Sequence, residues 1–109
     1  MPAAHRPSVA TRRALRKLGE DIGNARRRRQ LTMEILAERA FTTRQTLQKV
    51  EAGDPMVAMG IYAAVLQALG LLDGLGDLAA PGQDEVGLSL AAEALPKRVR
   101  LRVRSTPHA

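Results

Sequence analysis

Three residues punctuate the chain between Thr32 and Gly53 and leave it little freedom. Thr32 and Thr43 each stand where the first turn of a helix needs a side-chain acceptor for its free N–H groups, and Gly53 can take the left-handed conformation at a helix end. Two short helices are therefore expected in succession, about Met33 to Ala40 and from Thr43 to Glu51 or Ala52. The first buries Leu36, Ala37 and Ala40. On the second, at about 100° per residue, Thr43, Leu47 and Val50 cluster on one side and Arg44, Gln45, Gln48 and Lys49 fall on the opposite arc. The thin apolar stripe anchors the helix and leaves a row of long hydrogen-bond donors facing outward.

The remaining segments supply a core for that pair. From Thr11 to Arg29, Leu15, Leu18, Ile22 and Ala25 recur at helical spacing, which predicts a first helix with one apolar stripe and a basic back. Leu31 packs at the break before Thr32. After a turn at Asp54 and Pro55, Met59, Tyr62, Val65, Leu66 and Leu69 predict a fourth helix ended near Gly70, and Leu71, Leu72, Leu75 and Leu78 a short fifth weakened by Gly74 and Gly76. Pro81 and Gly82 close the compact part, and a short helix is expected around Leu88 to Leu95. In the tail, Val99, Leu101 and Val103 alternate with Arg98, Arg100, Arg102 and Arg104. This is a strand pattern that either pairs, as in a dimer of two copies, or stays disordered. The expected organisation is a flexible arm over 1–10, a compact all-α domain over 11–80 and an extension over 81–109.

Composition narrows the function. The 109 residues include no cysteine, and the two histidines, His5 and His108, lie at opposite extremes, so disulfides, thiolate chemistry and a zinc site are excluded as expectations. Ser8, Ser89 and Ser105 have no histidine placed by any motif, and no glycine-rich phosphate loop follows a strand; no enzyme and no cofactor are expected. No run has the length of a signal peptide's apolar core or a membrane span, so the expected location is the cytoplasm, with no membrane partner. The net charge of +6 is segregated: residues 1–30 hold nine Arg or Lys against Glu20 and Asp21, residues 54–95 hold six acids and no base, and residues 96–109 hold five bases and no acid. That distribution suits a polyanion-binding surface. With one Phe, one Tyr and no Trp, the chain lacks the aromatic platforms that stack RNA bases.

A supporting helix, a tight turn and a presenting helix, with the small Ala37 where two backbones must come close, make a helix-turn-helix. A helix fits the major groove of duplex DNA, where Arg or Lys donates to guanine O6 and N7 and Gln pairs with the N6 and N7 edge of adenine. Residues 33–52, MEILAERAFTTRQTLQKVEA, resemble the helix-turn-helix of the phage repressor and Cro family, also called the XRE family. The family's pattern is present as Leu31-Thr32, Leu36-Ala37, Thr46-Leu47, Val50-Glu51-Ala52-Gly53 and Ala68-Leu69-Gly70, and the match extends from Leu18-Gly19 through LGLL at 69–72. The stretch LGLLDGLGDLAAP, followed by LPKRVR at 95–100, resembles the narrower Hip type, HipB-like antitoxins encoded beside a HipA-like kinase toxin.

The resemblance implies a five-helix lambda-repressor-like domain in which Arg44, Gln45 and Lys49 face bases with Gln48 at the edge of that face. It implies that Thr32, Met33, Thr43 and Thr46 lie near phosphates and that Arg26 and Glu51 pair across helices one and three; Arg27, Arg28 and Arg29 either serve the DNA backbone or are simply solvated. The implied activity is that of a dimeric repressor on an inverted-repeat operator, with the kinase toxin as a second, protein partner. Three positions depart from the family pattern. Phe41 stands where the turn usually has Gly, and the left-handed conformation would strain it, so a differently built turn is expected. Thr42 replaces an aliphatic residue, and Met33 replaces a Gln that bonds phosphate. The loop after Gly53 also lacks the basic residues that some members carry there.

Overall fold

The computed structural model describes residues 5–94, and every regular element among them is helical, with no strand. The alternating tail over 96–104 lies outside the described residues. From the N-terminal side, α-helices follow in the order α1 Val9–Arg28, α2 Met33–Arg39, α3 Arg44–Glu51, α4 Met59–Ala68 and the single turn α5 Asp73–Gly76. The described residues divide into two compact units, one ending at Leu75 and one beginning at Gly76.

In the first unit, side-chain acceptors fix where three of the helices begin. Ser8, Thr32 and Thr43 accept from the backbone N–H of Thr11, Ile35 and Thr46, each at 3.1 Å. The first of these moves the start of α1 into the stretch expected to be a flexible arm, because a serine hydroxyl at position 8 satisfies a donor that would otherwise be orphaned. The helices also end alike. After α3 the N–H groups of Gly53 and Asp54 donate back to Val50 O and Lys49 O, and after α4 those of Gly70 and Leu71 donate to Gln67 O and Leu66 O. Both glycines sit at positive φ, +74° and +80°, the conformation this closure needs.

The same closure ends α1 and α2 without glycine. Gln30 N–H and Leu31 N–H donate to Arg27 O and Arg26 O; Phe41 N–H and Thr42 N–H donate to Glu38 O and Ala37 O. Gln30 and Phe41 accordingly lie at φ +55° and +56°. The turn after α2 is thus built in the ordinary left-handed way in spite of Phe41, contrary to the expectation from sequence. Two backbone hydrogen bonds, to Glu38 O and Ala37 O, offset the strain of a bulky residue there. The ring contributes nothing to the core, since Phe41 is 94% exposed.

The core takes Ile22 and Ala25 from α1, Leu36 and Ala37 from α2 with Ala40 after it, Leu47 and Val50 from α3, and Tyr62, Val65, Leu66 and, just past the helix, Leu69 from α4. Met59, expected on the buried stripe of α4, is largely exposed at its first turn, and Leu78 is exposed as well. Tyr62 is buried with its hydroxyl donating to Asp54 O at 2.8 Å. Burial, and next the Asp54 charge, raise its phenol above the ordinary pKa of 10.0. In the second unit a 3-10 turn over Pro81–Gln83 precedes a helical run over 85–94 that leaves Val86, Leu88 and Leu90 exposed.

Candidate nucleic-acid interface

Where α3 ends against α1, the close approach runs through glycines. A Cβ built on Gly19 would lie 2.5 Å from Val50 O and 2.7 Å from both Glu51 O and Gly53 N, and one on Gly53 would lie 2.5 Å from Leu15 O. The backbone of α1 therefore runs against the closing turn of α3, a separation that only hydrogen in place of Cβ permits. One turn further along α1, a Cβ on Gly23 would lie 2.9 Å from the Glu51 carboxylate. That carboxylate accepts from Arg26 Nε at 2.8 Å and from Arg26 Nη2 at 3.2 Å, while Arg26 Nη1 donates to Leu31 O at 3.0 Å.

Arg26 thus ties three places together: its own helix, the end of α3 and the connection into α2. Both partners are mostly shielded, with side chains 12% and 13% exposed. The forked geometry satisfies both carboxylate oxygens, the arrangement in which a shielded ion pair holds orientation well. The glycine crossing was missed in reading the sequence, where Gly53 counted only as a helix stop and Ala37 as the close approach. The available signal was Gly19 and Gly23 one turn apart inside a predicted helix, where each glycine costs about 1 kcal/mol relative to Ala and calls for a packing reason.

With α3 held in this way, Leu47 and Val50 are fully buried and Arg44, Gln45, Gln48 and Lys49 are all exposed. The four long side chains emerge from fewer than two turns of a rigid helix. They offer guanidinium, ammonium and carboxamide donors on flexible stems that reach away from the helix.

The other candidates divide. Thr32 and Thr43 are exposed and already accept a cap bond through their hydroxyls; the hydroxyl hydrogen of Thr32 stays available, whereas that of Thr43 is donated to Thr46 Oγ1 at 3.0 Å. Thr46 is half-buried. Met33 packs its side chain against the core, so only its backbone N–H remains to meet a phosphate. Arg27 Nη2 donates to Asn24 Oδ1 at 2.8 Å, Arg29 Nη1 folds back to Ala25 O at 2.9 Å, and Arg28 is exposed. Arg27 and Arg28 lie on the last turn of α1 and Arg29 caps it, where their charge favours the helix C-terminus as well as any external anion. Among the described residues there is no cluster of His, Cys, Asp or Glu able to hold a metal ion, and no helix is long and apolar enough to cross a membrane. Comparison with protein-family models, with curated proteins and with solved structures finds no match to this chain.

Proposed function

We propose that the chain is a sequence-specific DNA-binding regulator of lambda-repressor-like fold, α3 reading base edges in the major groove. The observation that carries this reading is the one-sided exposure of Arg44, Gln45, Gln48 and Lys49 on a helix whose opposite side, Leu47 and Val50, is wholly buried. Bidentate pairs from Arg and Gln discriminate bases by about 1–3 kcal/mol each. Two capped helix N-termini, at Thr32 and Thr43, flank that row and offer backbone N–H groups to phosphates. The arginines of α1 supply long-range attraction.

A single α3 covers only a few base pairs, so the proposed active form is a dimer on an inverted repeat, acting as a repressor. Helix 85–94, with exposed Val86, Leu88 and Leu90, is the described segment best suited to pair with a second copy; α5 is a single turn without a buried residue. The test is band-shift titration with the region upstream of the gene. Affinity is expected to fall steeply with salt, and the Arg44→Ala, Lys49→Ala variant is expected to lose sequence preference. Equal binding by that variant would remove the assignment.

A second reading, compatible with the first, is that the chain is a HipB-like antitoxin for a kinase toxin. It is favoured by residues 54–95, which are without a base and expose apolar side chains on helix 85–94. Co-purification of a kinase encoded beside the gene would support it; a locus with no such neighbour and no captured kinase would reject it.

A further inference from the structure

The loop after α3 is without cations: Asp54, Pro55, Met56, Val57 and Ala58 separate Gly53 from α4. That loop is firmly held. Asp54 turns its carboxylate back to accept Met56 N–H at 2.8 Å, and Asp54 O accepts the Tyr62 hydroxyl. Against Pro55 and Met56 lies the segment that leads into α1, and the groove between them is lined by His5, Arg6, Pro7 and Arg12. His5, Arg6 and Arg12 are exposed, and no acidic side chain lines the groove.

The placement of this groove follows from the glycine crossing. The end of α3 meets α1 between Leu15 and Arg26. The N-terminal part of α1 therefore lies on one side of α3's end, and the arginines at 27–29, with Thr32 beyond them, lie on the other. From Arg12 to Arg28 the helix advances about 24 Å at 1.5 Å per residue. That length spans a major groove about 12 Å wide together with the sugar-phosphate backbones on its two sides.

We propose that Arg6 and Arg12, with His5 beside them, form a second phosphate-binding cluster that grips the strand opposite the one met by Arg27–Arg29 and the α2 N-terminus. The cluster supplies from the chain's beginning the charge that the loop after α3 lacks. This rests on the DNA-binding reading above and extends it to residues that reading does not use. Each phosphate neutralised releases condensed counterions, so each contact contributes about 0.9 to the slope of log affinity against log salt on duplex DNA.

The test uses the full chain and a mixed-sequence duplex, with binding followed by fluorescence anisotropy over a range of salt. The Arg6→Ala, Arg12→Ala variant is expected to lower the slope by about 2, to weaken binding alike on all sequences and to leave the circular dichroism spectrum unchanged. The Lys17→Ala, Arg39→Ala variant matches it in net charge and is expected to keep the parent slope. A parent slope retained by the first variant, or lost equally by both, overturns the cluster while leaving DNA binding standing. A parent chain that binds no duplex overturns both.

Discussion

Replacing Gly19 by alanine sets two effects of known sign against each other. Alanine is the better helix former by about 1 kcal/mol in a helix interior, so propensity alone predicts a more stable protein. The crossing predicts the reverse. The new Cβ would stand 2.5 Å from Val50 O and 2.7 Å from Gly53 N, and these two atoms are the partners of the 2.9 Å hydrogen bond that helps to close α3. All the nearest atoms are backbone, so no side chain can rotate away; α1 and α3 must separate or the closing turn must open. Overpacking of this kind costs about 1–3 kcal/mol, and contact with backbone on three atoms places it at the upper end. Subtracting the propensity gain leaves a net loss of about 2 kcal/mol, which for a domain of this size lowers the melting temperature by roughly 8–16 °C. Gly60, near the start of α4, provides the matched comparison, because a Cβ there meets nothing within 4 Å. Gly60→Ala is expected to gain up to about 1 kcal/mol. Thermal unfolding followed by circular dichroism measures both. If Gly19→Ala melts at or above the parent temperature, α1 and α3 do not cross at Gly19 and the placement of α3 argued from it is wrong.

Three other perturbations test the local arguments. Arg26→Ala or Glu51→Ala alone leaves a shielded charge without its partner and is expected to cost about 3 kcal/mol, near the lower end for buried pairs because both side chains keep some exposure; a double variant costing as much as the two singles added would show that they are not coupled. At position 41, glycine relieves a left-handed strain of about 1–2 kcal/mol and adds about 0.5–1 kcal/mol of unfolded-state entropy. Because the ring is exposed, Phe41→Gly should raise stability by about 0.5–1 kcal/mol in chemical denaturation, and a loss would mean that the ring is packed. Tyr62 binds its proton more tightly when folded, so its stability contribution is complete below pH 10 and declines as pH rises through the raised phenol pKa. Tyr62→Phe should abolish that alkaline decline, with a cost of about 1 kcal/mol at neutral pH for the lost bond to Asp54 O; an unchanged decline would assign it to other groups.

What the sequence determined by itself is local. Thr32 and Thr43 mark helix starts because a hydroxyl serves an N–H only a few residues away, and Gly53 and Gly70 mark ends for an equally short-range reason. The split of α3 into buried Leu47 and Val50 and exposed Arg44, Gln45, Gln48 and Lys49 follows from helical periodicity and needs no knowledge of the rest of the chain. Where these local signals are weak, element bounds differ by a turn or less: α1 starts at the Ser8 cap rather than at Thr11, and the buried stripe of α4 begins only at Tyr62, leaving Met59 exposed. Tertiary structure decided the rest. Gly19 and Gly23 become informative only when Val50, Glu51 and Gly53 are seen lying against them. Arg6 and Arg12 meet Pro55 and Met56 only because α1 crosses the end of α3. Each of these depends on backbones far apart in sequence coming within van der Waals reach, and the spacing of residues along a single helix carries no record of that distance.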